Sequence, residues 1–400
     1  MDETIKTNST IWTPAFISLF VINIFVQMGM YMMNSIVPKY ASDMGAGPSV
    51  IGFVASLYGI ASVLMTPING PAFDAFSKRR ILSLATGATG CVLVLYALAP
   101  SLSVVMVARF LHGVTAGCVI PLCLLLASDC LPEDKLSTGI GIFSLAQCGA
   151  SAIAPGIGLA LAERFGFRTT FLIGAAATFL SFGLTFLIRK NPNEERKPFV
   201  IRFDNIISRR ALIPGGVMFF CIMGLVCINS FLVVFADALG VAGIGLYFTV
   251  YGVGLMIVQP GFGRIADKIG ITKVVIIGTV VYALSFVLVG RSVTLPMFLA
   301  AAVLASIGYG ALHPTMQSLT IQCAEEGRRG AASNTYYFCL NVSMVVAPLL
   351  AGWIADAMTE GGTNLVRGYS TMFTCVVVPI LIALCYYLFM RKKLPDTVRQ

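Results

Sequence analysis

The sequence GPAFDAFSKRR occupies residues 70–80, and GRIADKIGITK at residues 263–273 repeats its pattern of a glycine, an aspartate four positions later and a basic ending. The same separation of 193 residues places Gly310 opposite Gly117 and Pro314 opposite Pro121. One offset therefore relates matches that are spread over much of the chain. We predict one structural unit that occurs twice, with two similar halves arranged about a shared cavity.

The composition indicates a chain whose natural solvent is lipid. Of the 400 residues, 57% are hydrophobic and 11% are charged, whereas a soluble domain has roughly 25% charged residues. A chain of this length with so few charges cannot cover a globular surface in water. The formal net charge of +9 does not indicate a nucleic-acid partner, because the basic residues lie in short loops between apolar runs and form no stripe.

Apolar runs of about 20 residues, the length that crosses a bilayer as a helix, occur twelve times. Because the runs are continuous and do not alternate, we predict helices and not strands. The predicted fold is an all-α membrane protein with twelve transmembrane helices in two pseudo-symmetric six-helix bundles. The predicted spans are approximately residues 14–37, 50–72, 81–99, 103–127, 139–161, 169–188, 212–235, 243–265, 274–290, 294–319, 331–355 and 369–390.

Basic residues predict both the domain boundaries and the orientation in the membrane. The one long polar segment is a basic connector over residues 189–210, which separates a first bundle (1–188) from a second (211–400). Most of the 27 Lys and Arg residues fall in alternate loops and near the termini. Positively charged loops stay in the cytoplasm, so both termini are predicted to be cytoplasmic in a multi-pass protein of the plasma membrane, a bacterial inner membrane being expected. Residues 199–210 form either an amphipathic helix on the inner leaflet or a flexible tether.

Several short motifs resemble those of a known family. The segments at 70–80 and 263–273 resemble the loop signature of the major facilitator superfamily, and Arg109 with Gly113 and Gly117 resembles its fourth-helix arginine motif. The proline–glycine motif of the drug/proton antiporter branch is matched by Gly149, Ala154, Pro155, Gly156 and Gly158. The resemblance implies the major facilitator fold, a transporter and not an enzyme, and proton-coupled antiport.

The two motif loops are predicted to form a conformational latch. A glycine lets two helices approach closely, and an aspartate at a helix end can meet the positive N-terminus of a facing helix. Such a contact forms in one arrangement of the halves and biases the equilibrium between arrangements. The alternative is that the basic residues only determine topology. The first copy has Ala75 and Ser77 where the family usually has arginine and glycine. The latch residues are Gly70, Asp74, Arg79, Gly263, Asp267 and Lys268.

Arg109 is the one basic residue well inside a predicted span. Its burial costs at least about 2.5 kcal/mol on insertion scales, so it is expected to face a cavity or a partner. His112 lies one turn away on the same face, and His313 lies in the tenth span. Because no carboxylate lies deep in any span, we predict a preference for anionic or neutral substrates. Arg109, His112 and His313 are the candidates for proton coupling, with His313 favoured; either histidine can instead be a packing residue.

A polar face on the first span is predicted to line the substrate cavity. Asn23, Gln27, Tyr31 and Asn34 recur at helical spacing, and lipid disfavours such a face. The other predicted lining residues are Arg109, His112, Gln147, Asn229, Tyr251, Tyr309, His313 and Gln317. Helix bends are predicted at Gly149, Pro155, Gly156 and Pro348.

These features predict a secondary active transporter that works by alternating access. The preferred activity is proton-coupled efflux of small amphipathic molecules, with uptake or exchange of a small organic anion as the alternative. A non-transporting membrane sensor or lipid-handling protein is the alternative from a different class. The sequence contains no phosphate-binding loop or metal-ligand cluster, so no cofactor, metal or enzymatic activity is predicted. The expected partners are a small-molecule substrate, a proton or another coupling ion and the lipid bilayer, with the protein acting as a monomer.

Overall fold

The computed structural model describes residues 11–132, 135–188, 198–199, 208–324, 329–359 and 364–394. Within its helices, the side chains of residues 136–138, 141, 144–145, 148, 263–264, 266–267 and 329–330 are outside this description. The predicted connector at 189–210 therefore lies mostly outside the described residues. Its described parts touch both halves of the chain: the Phe199 ring lies 6.2 Å from that of Phe76, and the Ser208 backbone N–H donates to Thr335 Oγ1 at 2.8 Å.

Over these residues the chain is helical, without a strand. Thr13 begins the first helix by accepting a hydrogen bond from the Phe16 N–H through its side chain, and Pro14 occupies the first turn. The helices are α1 (Pro14–Asp43), α2 (Pro48–Ala75), α3 (Lys78–Ala97), α4 (Leu102–Asp129), α5 (Leu136–Thr185), α6 (Leu212–Ala238), α7 (Gly245–Ile269), α8 (Ile271–Arg291), α9 (Leu295–Gln322), α10 (Arg329–Ala357), α11 (Leu365–Cys375) and α12 (Val377–Met390).

Helix α5 crosses the membrane twice. Its 50 residues would span about 75 Å as a straight helix, more than twice the bilayer core of roughly 30 Å. Gly166 interrupts it with φ 79° and ψ 162°, a conformation that favours glycine. Gly158 and Gly174, on either side of this break, both face the Met32 side chain, so the chain folds back on itself.

The predicted fold class is confirmed. Eleven helical stretches among the described residues are long and apolar enough to cross a membrane, and α11 with α12 counts as one of them. Because α5 is long enough for two crossings, the described residues accommodate the twelve spans that the apolar runs predicted. The main difference is that the fifth and sixth spans are joined by a single glycine break and not by a loop.

The helices pack into two bundles. In the first, α1 and α3 pack on α5, and α2 and α3 pack on α4. In the second, α7 and α8 pack on α9, and α6 packs on α10 and α12. Two seams join the bundles, α2 on α10 and α5 on α7, and α1 also contacts α6.

Both seams depend on glycine. Gly52 lies against the Pro348 carbonyl, and Gly252 lies against Ala152, so closely that a Cβ on either glycine would overlap its neighbour. Because a backbone without Cβ can approach another backbone directly, these positions set the distance between the bundles.

The seams also follow the sequence repeat. Gly59 faces the Met344–Val345 peptide, where an added Cβ would lie 2.9 Å from the Met344 carbonyl and 3.0 Å from the Val345 amide nitrogen, and Gly252 faces Ala152 in the other seam. The offset of 193 residues takes Gly59 to Gly252 and Ala152 to Val345. The bundles therefore meet through two copies of one helix–helix contact.

The bundles are tied together at one end of the molecule. We call the end where α1 meets α2 the Lys39 end, and the end where α2 meets α3 the Lys78 end. At the Lys39 end, Lys39 Nζ lies 2.8 Å from Asp237 Oδ2 of α6, and Ser49 Oγ donates to Asp356 Oδ2 of α10 at 2.7 Å. These contacts and the seam at Gly52 hold the two bundles closed at the Lys39 end.

Candidate functional site

Arg109 lies in a polar cluster inside the first bundle. Its side chain is 3% exposed, and its Nη2 donates to Asn34 Oδ1 of α1 at 2.8 Å. The guanidinium lies over the Tyr58 ring of α2, 4.9 Å from the centroid, in cation–π geometry. The His112 ring meets the Tyr58 ring edge-on at 5.5 Å and lies 6.2 Å from the Tyr96 ring. Neutral side chains from three neighbouring helices, α1, α2 and α3, thus surround the Arg109–His112 face of α4.

The guanidinium retains unused donors. Among the described residues, Nε and Nη1 of Arg109 and Nδ1 of His112 are buried without a hydrogen-bond partner. The acidic residues of the chain lie at helix ends, in loops or near the termini, and none lies in the middle of a span. The site therefore holds a positive charge that no carboxylate in the membrane interior balances, and water is largely excluded from it.

The predicted polar face of α1 divides into a buried half and a partly exposed half. Asn23 is buried and its Nδ2 donates to the Phe143 carbonyl of α5 at 3.3 Å, while Gln27 is 4% exposed. Tyr31 and Asn34 are partly exposed. The exposed side chain of Gln147 donates to Tyr31 Oη at 3.3 Å. The open side of this face is therefore lined by Tyr31, Asn34 and Gln147.

His313 lies in an aromatic cluster of the second bundle. Its ring stacks on Tyr309 at 5.4 Å and lies 6.4 Å from Tyr336. The Tyr309 ring is also close to those of Tyr251 and Tyr282, at 6.4 and 5.9 Å. The structure thus places His313 among phenols of α7 to α10, and Arg109 with His112 among α1 to α4.

A cavity of about 350 Å³ adjoins this aromatic cluster between α9 and α10. Gln317 Nε2 donates to Tyr337 Oη at 3.2 Å across it. Its lining is neutral: Pro314, Gln317, Ser318, Thr320, Ile321, Ser333, Tyr336 and Tyr337. Of the remaining predicted cavity residues, Asn229 is partly exposed on α6 and Tyr251 is buried. Neutral groups of this kind suit an uncharged or aromatic portion of a ligand and supply no fixed charge.

The first motif loop, at the Lys78 end, makes contacts within the first bundle. Lys78 pairs with Asp129 of α4 at 2.8 Å, and Arg79 Nη2 donates to the Phe186 carbonyl at 2.8 Å. Asp74 is exposed, and a Cβ added to Gly70 would meet nothing within 4 Å. In the second loop, Lys268 is exposed, while the surroundings of Gly263 and the side chain of Asp267 lie outside the described part of the chain. The described contacts of the first loop do not bridge the bundles.

The predicted helix-bending residues lie inside continuous helices. Pro155 and Pro348 are buried in α5 and α10, and Pro348 supplies the carbonyl that packs on Gly52. Gly156 packs on the Gly245 backbone of the second seam, and a Cβ added to Gly149 would meet nothing within 4 Å. Three of these four positions are therefore buried or in contact with the opposite bundle.

Lys39 and Asp237 were not among the predicted functional residues. Lys39 Nζ contacts Asp43 Oδ1 at 2.6 Å within α1 in addition to Asp237, and the three residues line a cavity of about 450 Å³ between the bundles. The sequence spacing predicts the contact between Lys39 and Asp43, because residues four positions apart are neighbours on a helix surface. The contact with Asp237 requires the packing of α1 on α6, which the sequence spacing does not show.

Comparison with known proteins gives a consistent result along the chain. A family model described as Major Facilitator Superfamily matches residues 19–242 and 215–400. An uncharacterized MFS-type transporter of Methanocaldococcus jannaschii is 23% identical, over 93% of this chain and 96% of its own. A multi-drug resistance efflux pump PmrA homolog of Lactococcus lactis is 25% identical, over 90% of this chain and 94% of its own.

A solved structure shares the architecture. The crystal structure of nucleoside transporter NupG superimposes with a TM-score of 0.74 at 14% identity, covering 94% of this chain and 99% of that one. At this identity the similarity concerns the fold alone.

Proposed function

The chain belongs to the major facilitator superfamily, and on this basis we propose that it exports small amphipathic molecules, anionic or neutral, in exchange for protons. It is a transporter and not an enzyme, and its resemblance to drug-efflux members extends over most of the chain. In this proposal the two bundles expose the site alternately to each side of the membrane. The Lys39 end faces outward, and both termini are cytoplasmic, as the basic loops favour.

The buried charge of Arg109 supports the substrate class. The guanidinium is held by the neutral Asn34 and Tyr58, has two free donors among the described residues, and has no carboxylate within the membrane interior to balance it. In a site that excludes water, electrostatic attraction and repulsion are stronger than in solution. An anion is therefore attracted, a neutral amphipath is tolerated and a cation is repelled.

Proton coupling is assigned to His313, with His112 and Arg109 as alternatives. His313 is partly exposed beside the neutral cavity of the second bundle, and imidazole is the side chain that changes charge most readily near neutral pH. Arg109 and His112 lie in the first bundle, so substrate and proton would be handled by different bundles of one transporter.

Export is favoured over import by the similarity to a multi-drug resistance efflux pump homolog. In this proposal the closed Lys39 end corresponds to the arrangement that faces the cytoplasm, from which an exporter loads. The latch contacts of the motif loops would form in the opposite arrangement, when the Lys78 end closes. Uptake or exchange of a small organic anion would use the same Arg109 site and differ in direction.

The test is transport in proteoliposomes with an imposed pH gradient. The substrates are three amphipathic aryl compounds of one scaffold that carry a carboxylate, a carboxamide or an amine. Anion flux is expected to depend on the gradient and to fall by at least about tenfold in Arg109→Gln, the effect of about 1.4 kcal/mol. Neutral flux is expected to change less, because glutamine retains a donor for Asn34.

Arg168→Gln provides the matched control, since Arg168 is exposed at the Lys39 end and its charge faces solvent. It is expected to transport like the wild type. Exclusive transport of the amine would contradict the substrate class, and flux that ignores the pH gradient would contradict proton coupling. His313→Gln with full coupling would remove His313 from the mechanism.

A further inference from the structure

We propose that the charge of the side chain at position 34 sets the charge preference of the transport site, and that Asn34 fulfils this role by being neutral. The inference rests on the proposed function and identifies the residue that keeps the Arg109 charge available to substrates. Asn34 Oδ1 accepts the hydrogen bond from Arg109 Nη2 at 2.8 Å, which is the geometry that a carboxylate oxygen would also adopt. An amide supplies this hydrogen bond without supplying a negative charge.

Asn34 lies between the buried cation and the open side of α1. Arg109 is 3% exposed, whereas Asn34 is partly exposed and lies one turn from Tyr31, which accepts a hydrogen bond from the exposed Gln147. Only the neutral side chain of Asn34 would therefore separate a substrate at this position from the charge of Arg109. A carboxylate at position 34 would stand between substrate and cation and would neutralise the cation at close range.

The other neighbours of Arg109 leave its charge unchanged. Tyr58 contributes a ring face from α2, Tyr96 of α3 contributes a neutral hydroxyl that interacts with the guanidinium, and His112 follows on α4 itself. No acidic side chain from these helices is described at the site, and the sequence places none in the middle of these spans. Position 34 is thus where a single isosteric change converts an isolated cation into an ion pair.

The decisive variant is Asn34→Asp. It keeps the size of the side chain and the hydrogen bond to Arg109, and it removes the net positive charge. We expect the ratio of anion to cation transport, measured with the carboxylate and the amine of one aryl scaffold, to fall by at least about tenfold. Flux of the carboxamide is expected to change by less than about threefold, because an uncharged molecule responds weakly to the charge of the site.

Two further variants separate charge from hydrogen bonding. Asn34→Ala removes the hydrogen bond and leaves Arg109 charged, so it is expected to retain the anion preference. Asn34→Asp combined with Arg109→Gln leaves a carboxylate alone and is expected to prefer the amine. Asn364→Asp is the matched control: Asn364 caps α11 in an exposed position, accepting from the Arg367 N–H at 3.0 Å, and aspartate caps equally well.

Binding of the three aryl compounds to purified protein in detergent is measured alongside flux. Anion preference that persists in Asn34→Asp, in either measurement, would overturn the inference and leave the proposed function standing. Anion-selective binding that Asn34→Asp removes, in a protein without flux, would support the inference and contradict the proposed function. A wild-type protein without charge preference in binding or flux would overturn both.

Discussion

At the scale of single residues, the most informative feature is a cation that is buried without an anion. Arginine suits this position better than lysine, because its planar group stacks on Tyr58 while one nitrogen donates to Asn34. The contacts with Tyr58 and Asn34 stabilise the guanidinium but carry no negative charge, so its positive charge is not neutralised. A buried charge without a counter-ion attracts an anionic ligand, but it also lowers the stability of the fold.

The Tyr58 ring is expected to contribute to stability through its face. A desolvated cation–π contact contributes about 1–2 kcal/mol, so Tyr58→Leu should lower the free energy of unfolding in detergent by roughly that amount. Tyr58→Phe, which keeps the ring, should lower it by less than about half as much. Denaturant titration followed by tryptophan fluorescence measures both. In an Arg109→Gln background the difference between the two variants should largely disappear, because the cation is gone. Equal losses in the two variants would show that the hydroxyl, and not the ring, carries the contribution.

Sequence reasoning proposed Asn34, Arg109 and His112 as site residues, but it did not identify Tyr58 and Tyr96, which surround them in the structure. The spacing of Asn23, Gln27, Tyr31 and Asn34 predicts a shared face, and an arginine inside an apolar run predicts a buried charge. Which helix meets that face depends on packing between elements far apart in sequence. The Asn34–Arg109 hydrogen bond joins α1 to α4, whereas Asn23 of the same face bonds to α5. Periodicity predicts which residues share one face of a helix, but it does not predict which other helix packs against that face.

At the scale of helices, Lys39 of α1 is shared between two carboxylates. It contacts Asp43 of its own helix at 2.6 Å and Asp237 of α6 at 2.8 Å. In the proposed transport cycle the bundles separate at the Lys39 end, which breaks the contact with Asp237, whereas Asp43 lies on the same helix as Lys39 and keeps it paired. Asp43 therefore lowers the cost of opening, and Asp237 raises it.

Asp237→Asn and Asp43→Asn are expected to have opposite effects. Both carboxylates are exposed, so each contact contributes roughly 0.2–1 kcal/mol, which changes the ratio of open to closed molecules by up to about fivefold. Asp237→Asn should favour the open Lys39 end, and Asp43→Asn the closed one. Spin labels at Ala46 and Ala242, in a background without reactive cysteines, report the ratio as a distance distribution. Shifts in the same direction would contradict the sharing of Lys39.

The glycine seam is expected to tolerate no side chain. A Cβ at position 52 would overlap the Pro348 carbonyl, so Gly52→Ala should prevent the bundles from closing at the Lys39 end. Transport should fall by at least about tenfold, since one state of the cycle becomes inaccessible. Gly183→Ala is the control, because a Cβ there meets nothing within 4 Å, and alanine within a helix is favourable. Wild-type transport by Gly52→Ala would show that the seam adjusts.

The repeat offset marks the seam glycines in the sequence, although it does not show which helices they contact. Gly52 and Gly59 of α2 recur as Gly245 and Gly252 of α7 at the same 193-residue separation that relates the motif loops. Apolar runs likewise predicted all twelve spans, because length and hydrophobicity suffice for that purpose. The pairing of α2 with α10 and of α5 with α7 could not be predicted in this way, since it depends on how the two bundles face each other.

At the scale of the whole molecule, the contacts between the bundles follow the sequence repeat, whereas the buried polar residues do not. The seams are two copies of one contact, with Gly59 on Val345 and Gly252 on Ala152, which suits a movement that the two bundles make about a common axis. The polar chemistry is not duplicated: the repeat places Ala302 opposite Arg109. In the proposed mechanism the duplicated parts support motion, and the unique residues support recognition.

Joining the bundles at the Lys39 end should stop transport without destroying the fold. Ser49 Oγ and Asp356 Oδ2 are 2.7 Å apart across the α2–α10 seam, so cysteines at both positions are within reach of a short thiol cross-linker. The cross-linked protein is held closed at this end and cannot complete an alternating cycle. Flux in proteoliposomes should fall to background and return when a reducible cross-linker is cleaved. The control is a cysteine pair at Lys78 and Asp129, which are 2.8 Å apart but lie within the first bundle, and whose cross-linking should leave flux largely intact. Continued flux through a protein fully cross-linked between residues 49 and 356 would mean that substrate crosses the membrane without separation of the bundles at the Lys39 end.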